Sequence, residues 1–268
     1  MVDAAQLGQG PLLDGKVMVM SGVGKGLGRF IVENACAAGA SVMMGARSAD
    51  FGSQLAKELA DQYPVAFQTC DITKEGDCEA LVAAAEERFG GVDCVVNNAA
   101  STARGITLED GAIDDWRPVF EVNFFGSLRL VKAAIPALKR SQGGSVVFVG
   151  SQIVRRVFAG RGPYASSKAA LLTAAQVLAR ELGPYGIRVN TVVPGRMWGA
   201  PLQGGIAGLA AERGMTPEEQ YQKMRSEVAL PELATDEECS RAVIFLASDL
   251  AASMTGQSID TNAGETFH

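Results

Sequence analysis

The chain has 268 residues, 47% hydrophobic and 20% charged: enough for one large core and short for two independent folds, so a single domain over residues 1–268 is expected. A net charge of −6 and a pI of about 5.0 argue against a nucleic-acid surface, whose mark is a basic patch. Five cysteines without a C-x-x-C, no long apolar run and a start at Met1–Gln6 that lacks the order of a signal peptide argue against disulfides, a metal site, a membrane span and secretion, so a reduced, cytoplasmic protein is expected.

Lys16–Ser21 reads as a short strand, followed by Gly22-Val23-Gly24-Lys25-Gly26-Leu27-Gly28 and a helical segment from Arg29 to Ala38. A strand, a glycine turn and a helix start in that order make an anion site. The glycines let the backbone approach a pyrophosphate, and the free amides and the positive end of the helix dipole face it. A tight βα turn with no ligand is the plainer alternative. The spacing Gly22-x-x-x-Gly26-x-Gly28 differs from the G-x-G-x-x-G fingerprint. A second strand, Ser41–Gly45, ends at Ala46-Arg47-Ser48. In a dinucleotide fold this strand end meets the adenosine ribose, and a carboxylate there selects a free 2′-hydroxyl. Arg47 in its place, with Lys25 in the glycine turn, suits a 2′-phosphate through charge-assisted bonds, so NADP(H) is expected over NAD(H). Either charge alone reads as well as a solvated loop residue.

The alternation continues with a helix over 50–61, a strand over 65–70, a helix over 74–89 and a strand over 92–96. Repeated βα units of this length predict a parallel sheet covered by helices on both faces. Asp71 stands just past the third strand, where an adenine contact and helix capping are both open. The asparagines of Asn97-Asn98-Ala99-Ala100 are expected to satisfy turn backbone. A long helix over 114–140 follows, which Pro136 should kink or shorten. Asn123, among apolar neighbours, is expected to be buried, and a buried amide needs partners. The strand over 145–150 delivers Ser151. The helix carrying Tyr164 runs to Leu182, and a strand over 187–193 closes at Pro194-Gly195. Residues 196–229 break the alternation and read as a lid over a substrate pocket or as an ordinary surface helix pair. Val154, Phe158, Met197, Trp198 and Leu202 suggest an apolar pocket, although such residues also line cores. A helix over 236–247 and a strand over 257–260 complete the pattern.

Proton chemistry centres on Gly162-Pro163-Tyr164-Ala165-Ser166-Ser167-Lys168. The only histidine is His268, the last residue, which argues against a Ser-His-Asp triad, a histidine base or a histidine-ligated zinc. Proton transfer then falls to Tyr, Lys, Asp, Glu or Cys. With Pro163 opening a helix, Tyr164 and Lys168 lie one above the other on a single face. An ammonium there lowers the phenol from its ordinary pKa of about 10 toward useful acid–base work.

These residues together resemble the short-chain dehydrogenase/reductase family over Leu12–Phe267. The family's T-G-x-x-x-G-x-G is met by Ser21–Gly28, with serine for threonine, and its N-N-A-G by Asn97–Ala99, with Ala100 for glycine. Its catalytic asparagine, serine, tyrosine and lysine are similar to Asn123, Ser151, Tyr164 and Lys168. The resemblance implies a Rossmann-like, doubly wound α/β sheet of seven parallel strands in the order 3-2-1-4-5-6-7, commonly as a homotetramer, with a dimer as the alternative. It implies cofactor contacts at Ser21, Gly22, Gly24, Lys25, Gly26, Leu27, Gly28, Arg47, Asp71, Ile72, Asn98, Ala99, Pro194, Gly195 and Met197, beside Tyr164 and Lys168. In that reading Ser151 holds the substrate oxygen and Tyr164 transfers the proton. Lys168 holds the nicotinamide ribose and lowers the tyrosine pKa, and Asn123 keeps a water relay. Where the family has a hydroxyl residue after the Pro-Gly to hold the carboxamide, Arg196-Met197-Trp198-Gly199 stands here, so backbone near Val193 or Trp198 is expected to take that contact. Ala100 costs little if its φ is below zero.

The leading expectation is a hydride transfer between NADP(H) and a carbonyl or secondary alcohol of an apolar substrate. A 3-oxoacyl-thioester reductase is the alternative, with Arg155, Arg156 and Arg161 placed to guide an acidic carrier. A nucleotide-binding module without turnover is a third reading.

Overall fold

The computed structural model describes residues 11–141 and 143–267; Met1–Gln6 and His268 lie outside them. Seven strands, β1 (Val17–Ser21), β2 (Ser41–Ala46), β3 (Val65–Thr69), β4 (Cys94–Asn97), β5 (Ser145–Val149), β6 (Arg188–Pro194) and β7 (Ser258–Thr261), form one sheet in the order 3-2-1-4-5-6-7. Every pairing is parallel, as between Met18 and both Val42 and Cys94. Strand order and fold are those the resemblance implied. β1, β4 and β5 are buried along their whole length, which is why they read as unbroken apolar runs rather than alternating ones.

Helices α1 (Leu27–Ala37), α2 (Ala49–Leu59), α3 (Glu75–Phe89), α4 (Arg117–Phe120), α5 (Ser127–Arg140), α6 (Gly162–Leu182), α7 (Ala200–Ala211), α8 (Pro217–Arg225) and α9 (Asp236–Ala247) join the strands. Successive side chains of a strand point to opposite faces. Met18 and Met20 of β1 therefore enter one core with Ile31 of α1 and Val243 of α9. Val17 and Val19 enter a second with Leu81 of α3, Leu130 of α5 and Leu171 of α6. All five cysteines are buried and unpaired. Among the described residues no helix is long and apolar enough to cross a membrane.

Chain-local signals account for most boundaries. Pro163 lies in the first turn of α6, where its fixed φ and missing N–H cost nothing. α9 begins where Thr235 and Glu238 cap each other, Oγ1 accepting from the Glu238 amide at 3.1 Å and the Glu238 carboxylate from the Thr235 amide at 2.8 Å. α1 begins two residues earlier than expected, so Gly28 belongs to its first turn.

The single helix expected over 114–140 is corrected. A 3-10 turn (Ile113–Asp115), α4, a π-helical turn (Glu121–Gly126) and α5 occupy it. α5 continues past Pro136, and the irregularity falls at Asn123 instead. Long-range demands put it there. The Asn123 side chain is engaged by residues 22 and 44 positions away, and Gly126 abuts Ile72, whose Cγ2 would lie 2.8 Å from a Cβ on that glycine. Single π turns inside helices commonly mark functional sites.

Candidate active site

The carboxyl ends of the strands open into one crevice. Its wider part, about 790 Å³, is lined by Ser21, Gly22, Gly24, Lys25, Arg47, Asp71, Ile72, Asn98 and Ala99. Its narrower part, about 290 Å³, is lined by Gly26, Leu27, Gly28, Ser151, Tyr164, Lys168, Pro194, Gly195 and Met197. Gly22, Gly24, Asn98 and Ala100 border both. Every residue expected at the cofactor thus faces this crevice.

The glycine turn is a built cradle. Gly22 has φ +82°, and a Cβ on it would stand 2.3 Å from the Ala99 nitrogen. A Cβ on Gly28 would stand 2.6 Å from the Gly22 carbonyl oxygen, whereas nothing lies within 4 Å of one on Gly24, which opens on the crevice. α1 has no side-chain cap and no acidic residue in its first turn, which leaves its first amides and the dipole for an anion. Asn98 Nδ2 donates to the Gly22 carbonyl at 2.7 Å, the backbone service expected of it. Asn97 departs from that expectation: its amide is buried with neither atom hydrogen-bonded among the described residues. Ala100 replaces glycine without strain, since Ala263 is the sole described non-glycine residue with positive φ.

At the wide end, Arg47 and Lys25 are exposed, and neither is in an ion pair among the described residues. Asp71 Oδ1 accepts from the Thr73 hydroxyl at 2.8 Å and the Thr73 amide at 3.1 Å. Those bonds chiefly hold its carboxyl below the usual range, with Lys74 and Arg47 adding to them. Asp71 therefore closes the turn before α3, whose cap position is Lys74, while still facing the crevice.

At the narrow end, Ser151 follows β5 and Tyr164 and Lys168 share a face of α6. The Ser151 hydroxyl lies by the Tyr164 phenol and lowers its pKa, and Ser151 Oγ accepts from the Ile153 amide at 3.3 Å. Lys168 is 2% exposed; its Nζ donates to the Val149 carbonyl at 2.7 Å, and burial brings its pKa down to about 8. Burial pushes the Tyr164 phenol above its ordinary value, against the lowering by Ser151 and Arg161. The expectation that Lys168 lowers this phenol is corrected. The cation acting on it is Arg161, whose guanidinium lies 4.9 Å from the ring centroid, while the lysine charge is tied to a carbonyl. Loss of water around a buried phenol outweighs both.

Asn123 is fully buried. Its Oδ1 accepts from the Ser101 amide at 2.7 Å, and its Nδ2 donates to the Ser101 carbonyl at 3.0 Å and to Ser167 Oγ at 2.9 Å. The side chain fastens the loop after β4 to the helix that carries Tyr164 and Lys168.

Of the five residues expected in an apolar pocket, Met197 borders the crevice and the other four do not. Val154 packs in the small apolar cluster around Tyr164, and Phe158 is exposed, with Arg156 5.3 Å from its ring centroid. Leu202 is half-buried on α7, and Trp198 packs on Tyr221 with centroids 4.4 Å apart. The Trp198 amide donates to the Ala234 carbonyl at 2.8 Å, so it is not the free backbone donor expected there. Arg155 and Arg156, expected to guide an acidic carrier, are both engaged within the chain. Arg155 donates to Ser258 Oγ at 2.7 Å and pairs with Asp260, and Arg156 pairs with Glu227 at 3.2 Å.

Two features gave no usable signal in the sequence. Asp236 is 3% exposed and faces the narrow crevice, and its Oδ2 has no hydrogen-bond partner among the described residues. That oxygen fills the space of the absent Gly199 side chain, 1.8 Å from where its Cβ would be. In the sequence Asp236 is an ordinary acidic residue in a first helical turn. Glu265 accepts from Gln152 Nε2 at 2.6 Å and Arg196 Nε at 2.6 Å, locking the segment after Pro194-Gly195 and the residue after Ser151 to the C-terminal stretch.

Comparison with known proteins agrees with this geometry. A family model described as enoyl-(acyl carrier protein) reductase matches residues 22–266. A trans-4-hydroxycyclohexanecarboxylate dehydrogenase of Sinomonas cyclohexanicum is 33% identical, covering 94% of this chain and 93% of its own. A 3-oxoacyl-[acyl-carrier-protein] reductase of Vibrio cholerae is 30% identical, covering 94% and 98%. A crystal structure of actinorhodin polyketide ketoreductase with NADPH superposes with a TM-score of 0.88 at 26% identity, covering 94% of this chain and 98% of that one. With the glycine turn, the seven-stranded order and the tyrosine–lysine helix face already in place, these matches make the chain a member of the short-chain dehydrogenase/reductase family of oxidoreductases.

Proposed function

We propose that the protein transfers hydride between NADP(H) and a carbonyl or secondary alcohol on an apolar carbon body. One observation carries the reading: a single crevice runs from two cations, Arg47 and Lys25, past the glycine cradle to Ser151, Tyr164 and Lys168. Arg47 and Lys25 would hold the 2′-phosphate, the uncapped start of α1 the pyrophosphate, and Lys168 the nicotinamide ribose. Asp236 Oδ2, buried without a partner, is the acceptor this chain offers to a carboxamide in place of the missing hydroxyl residue. A bound nicotinamide cofactor supplies the hydride chemistry.

The side chains manage the oxygen and its proton. Ser151 and Tyr164, side by side at the narrow end, direct their hydroxyls to one substrate oxygen. In reduction Tyr164 donates its proton to that oxygen, and in oxidation it takes one back. A phenol raised by burial is fully protonated near neutrality and so is poised as the acid. The ammonium of Lys168, oriented by the Val149 carbonyl, would serve the ribose rather than the phenol. Asn123 holds the helix in register. Residues 196–229, with Pro201 against the crevice and Trp198 packed on Tyr221, would cover the substrate as a lid.

Turnover of purified protein with NADPH and NADH on cyclic and aliphatic ketones, and on 3-oxoacyl thioesters free and carrier-bound, tests the reading. Ketone reduction with NADPH preferred is expected. No oxidation of either cofactor by any of them would overturn it, and activity confined to thioesters would favour the alternative that the 30% identical acyl-carrier reductase suggests.

The pH dependence has a definite sign. Lys168 carries its charge below its pKa of about 8 and loses it above, while Tyr164, raised in pKa, stays protonated across that interval. For the free enzyme, kcat/KM of ketone reduction is therefore expected to be level up to about pH 8 and then to fall by about tenfold per pH unit. A profile flat to well above that point would show that the lysine charge is not needed.

A further inference from the structure

Arg161, over the Tyr164 ring, and Arg104, on a loop linked to the residues before it, are in no ion pair among the described residues. Arg161 directly precedes α6 and lies half-buried over the Tyr164 ring, 4.9 Å from its centroid. Arg104 is exposed on the loop after β4, and that loop is pinned to the residues before α6. Ile106 and Arg161 form a parallel bridge, the Ile106 amide donates to the Gly160 carbonyl at 3.3 Å, and a Cβ on Gly160 would lie 3.4 Å from the Gly105 Cα. The two arginines are near enough for the charge of Arg104 to act on Arg161, whose pKa burial lowers and Arg104 lowers further. Neighbouring arginines are treated differently: Arg155 pairs with Asp260, Arg156 with Glu227, and Arg196 with Glu227 and Glu265. Around the same ring, the half-buried Ala103, Val154 and Ala165 pack on the buried Val119 and Ile153.

Two like charges held together, one of them half out of water, are costly unless an anion joins them. A carboxylate answers this arrangement, because its two oxygens accept paired N–H bonds from planar guanidinium groups. The charge is local. With the neighbouring Arg155, Arg156 and Arg196 paired internally and a net charge of −6 on the chain, the surface offers a seat for one small anion rather than a basic face for an acidic protein.

We propose that Arg104 and Arg161 clamp the carboxylate of the substrate, which is an oxo acid or hydroxy acid whose reacting carbon is joined to that carboxylate by a short apolar skeleton. This rests on the reading of the crevice as a hydride-transfer site. The skeleton spans from the Tyr164 hydroxyl, where the carbonyl oxygen sits, back over the ring to Arg161.

The experiment compares levulinate and oxocyclohexanecarboxylate with their methyl esters, using NADPH, in the wild-type protein and in Arg104→Gln and Arg161→Gln. In the wild type the acids are expected to exceed the esters in kcat/KM. The acid-to-ester ratio is expected to fall by about tenfold in each variant, carried by KM rather than kcat, and to fall in the wild type as salt is added. Because Arg161→Gln also removes a cation from the Tyr164 ring, Arg104→Gln, on an exposed loop, carries the decision. Esters turned over as well as acids, with the ratio unmoved by Arg104→Gln, would overturn the clamp and leave the hydride-transfer reading intact. Activity on carrier-bound thioesters alone, weakened by the same variants, would overturn it in favour of a docked carrier. No cofactor oxidation with any carbonyl compound would instead sink the underlying reading.

Discussion

Replacing Tyr164 by phenylalanine is expected to lower kcat by about 10³-fold in both directions, within the range a positioned acid–base group supplies, with little change in NADPH affinity. The substitution removes one oxygen from a ring already packed against Val119 and Ile153, so the core is kept. What is lost is the hydroxyl beside Ser151 and, with it, the group placed to protonate an alkoxide at that point of the crevice. Ser151 keeps its bond from the Ile153 amide, so substrate still finds one donor. The loss should therefore appear in kcat more than in KM, and a stopped-flow single turnover should locate it in the chemical step. A variant retaining most of the wild-type rate would remove Tyr164 from the mechanism and shift attention to Lys168, whose lowered pKa makes it the other proton carrier in reach.

The second large effect concerns cofactor choice. Arg47→Asp is expected to weaken NADPH binding by about 10²-fold while NADH binding holds or improves, inverting the preference. Arg47 stands exposed at the end of β2 without an ion pair to release, so its charge is available to a 2′-phosphate. The aspartate both deletes that charge and adds a repelling one. The change would also bring a second carboxylate toward Asp71, which loses the small stabilisation Arg47 gives its charged form. Lys25→Ala should act in the same direction more weakly, since a lysine offers a point charge rather than a planar fork. Fluorescence titration of both cofactors against wild type and variants measures the effect. NADPH affinity surviving Arg47→Asp unaltered would show that the 2′-phosphate is held elsewhere or that none is bound.

How far such expectations were legible beforehand depended on distance along the chain. The glycine turn between β1 and α1, Pro163 at the start of α6, the Tyr164–Lys168 face and the cap of α9 at Thr235 all follow from neighbours a few residues apart, because helical period, capping and glycine conformation are local properties. Unbroken apolar strands alternating with helices were enough for a parallel sheet. The π turn at Asn123 was not readable, because it answers to Ser101 and Ser167 rather than to the residues beside it. Nor was the fate of the arginines: Arg155, Arg156 and Arg161 look alike in the sequence, yet two are paired from the C-terminal third of the chain and one lies over the Tyr164 ring with no ion pair among the described residues.

By itself the sequence determined which groups this protein has for proton and phosphate chemistry, and the order in which strands and helices bring them to one edge of a sheet. Only the tertiary structure decided the sign of the Tyr164 shift, the carbonyl that holds Lys168, the unpartnered oxygen of Asp236 and the pairing of Arg104 with Arg161. The reason is common to all four: desolvation and charge neighbourhood depend on which distant segments close over a side chain, and no pattern of nearby residues encodes that.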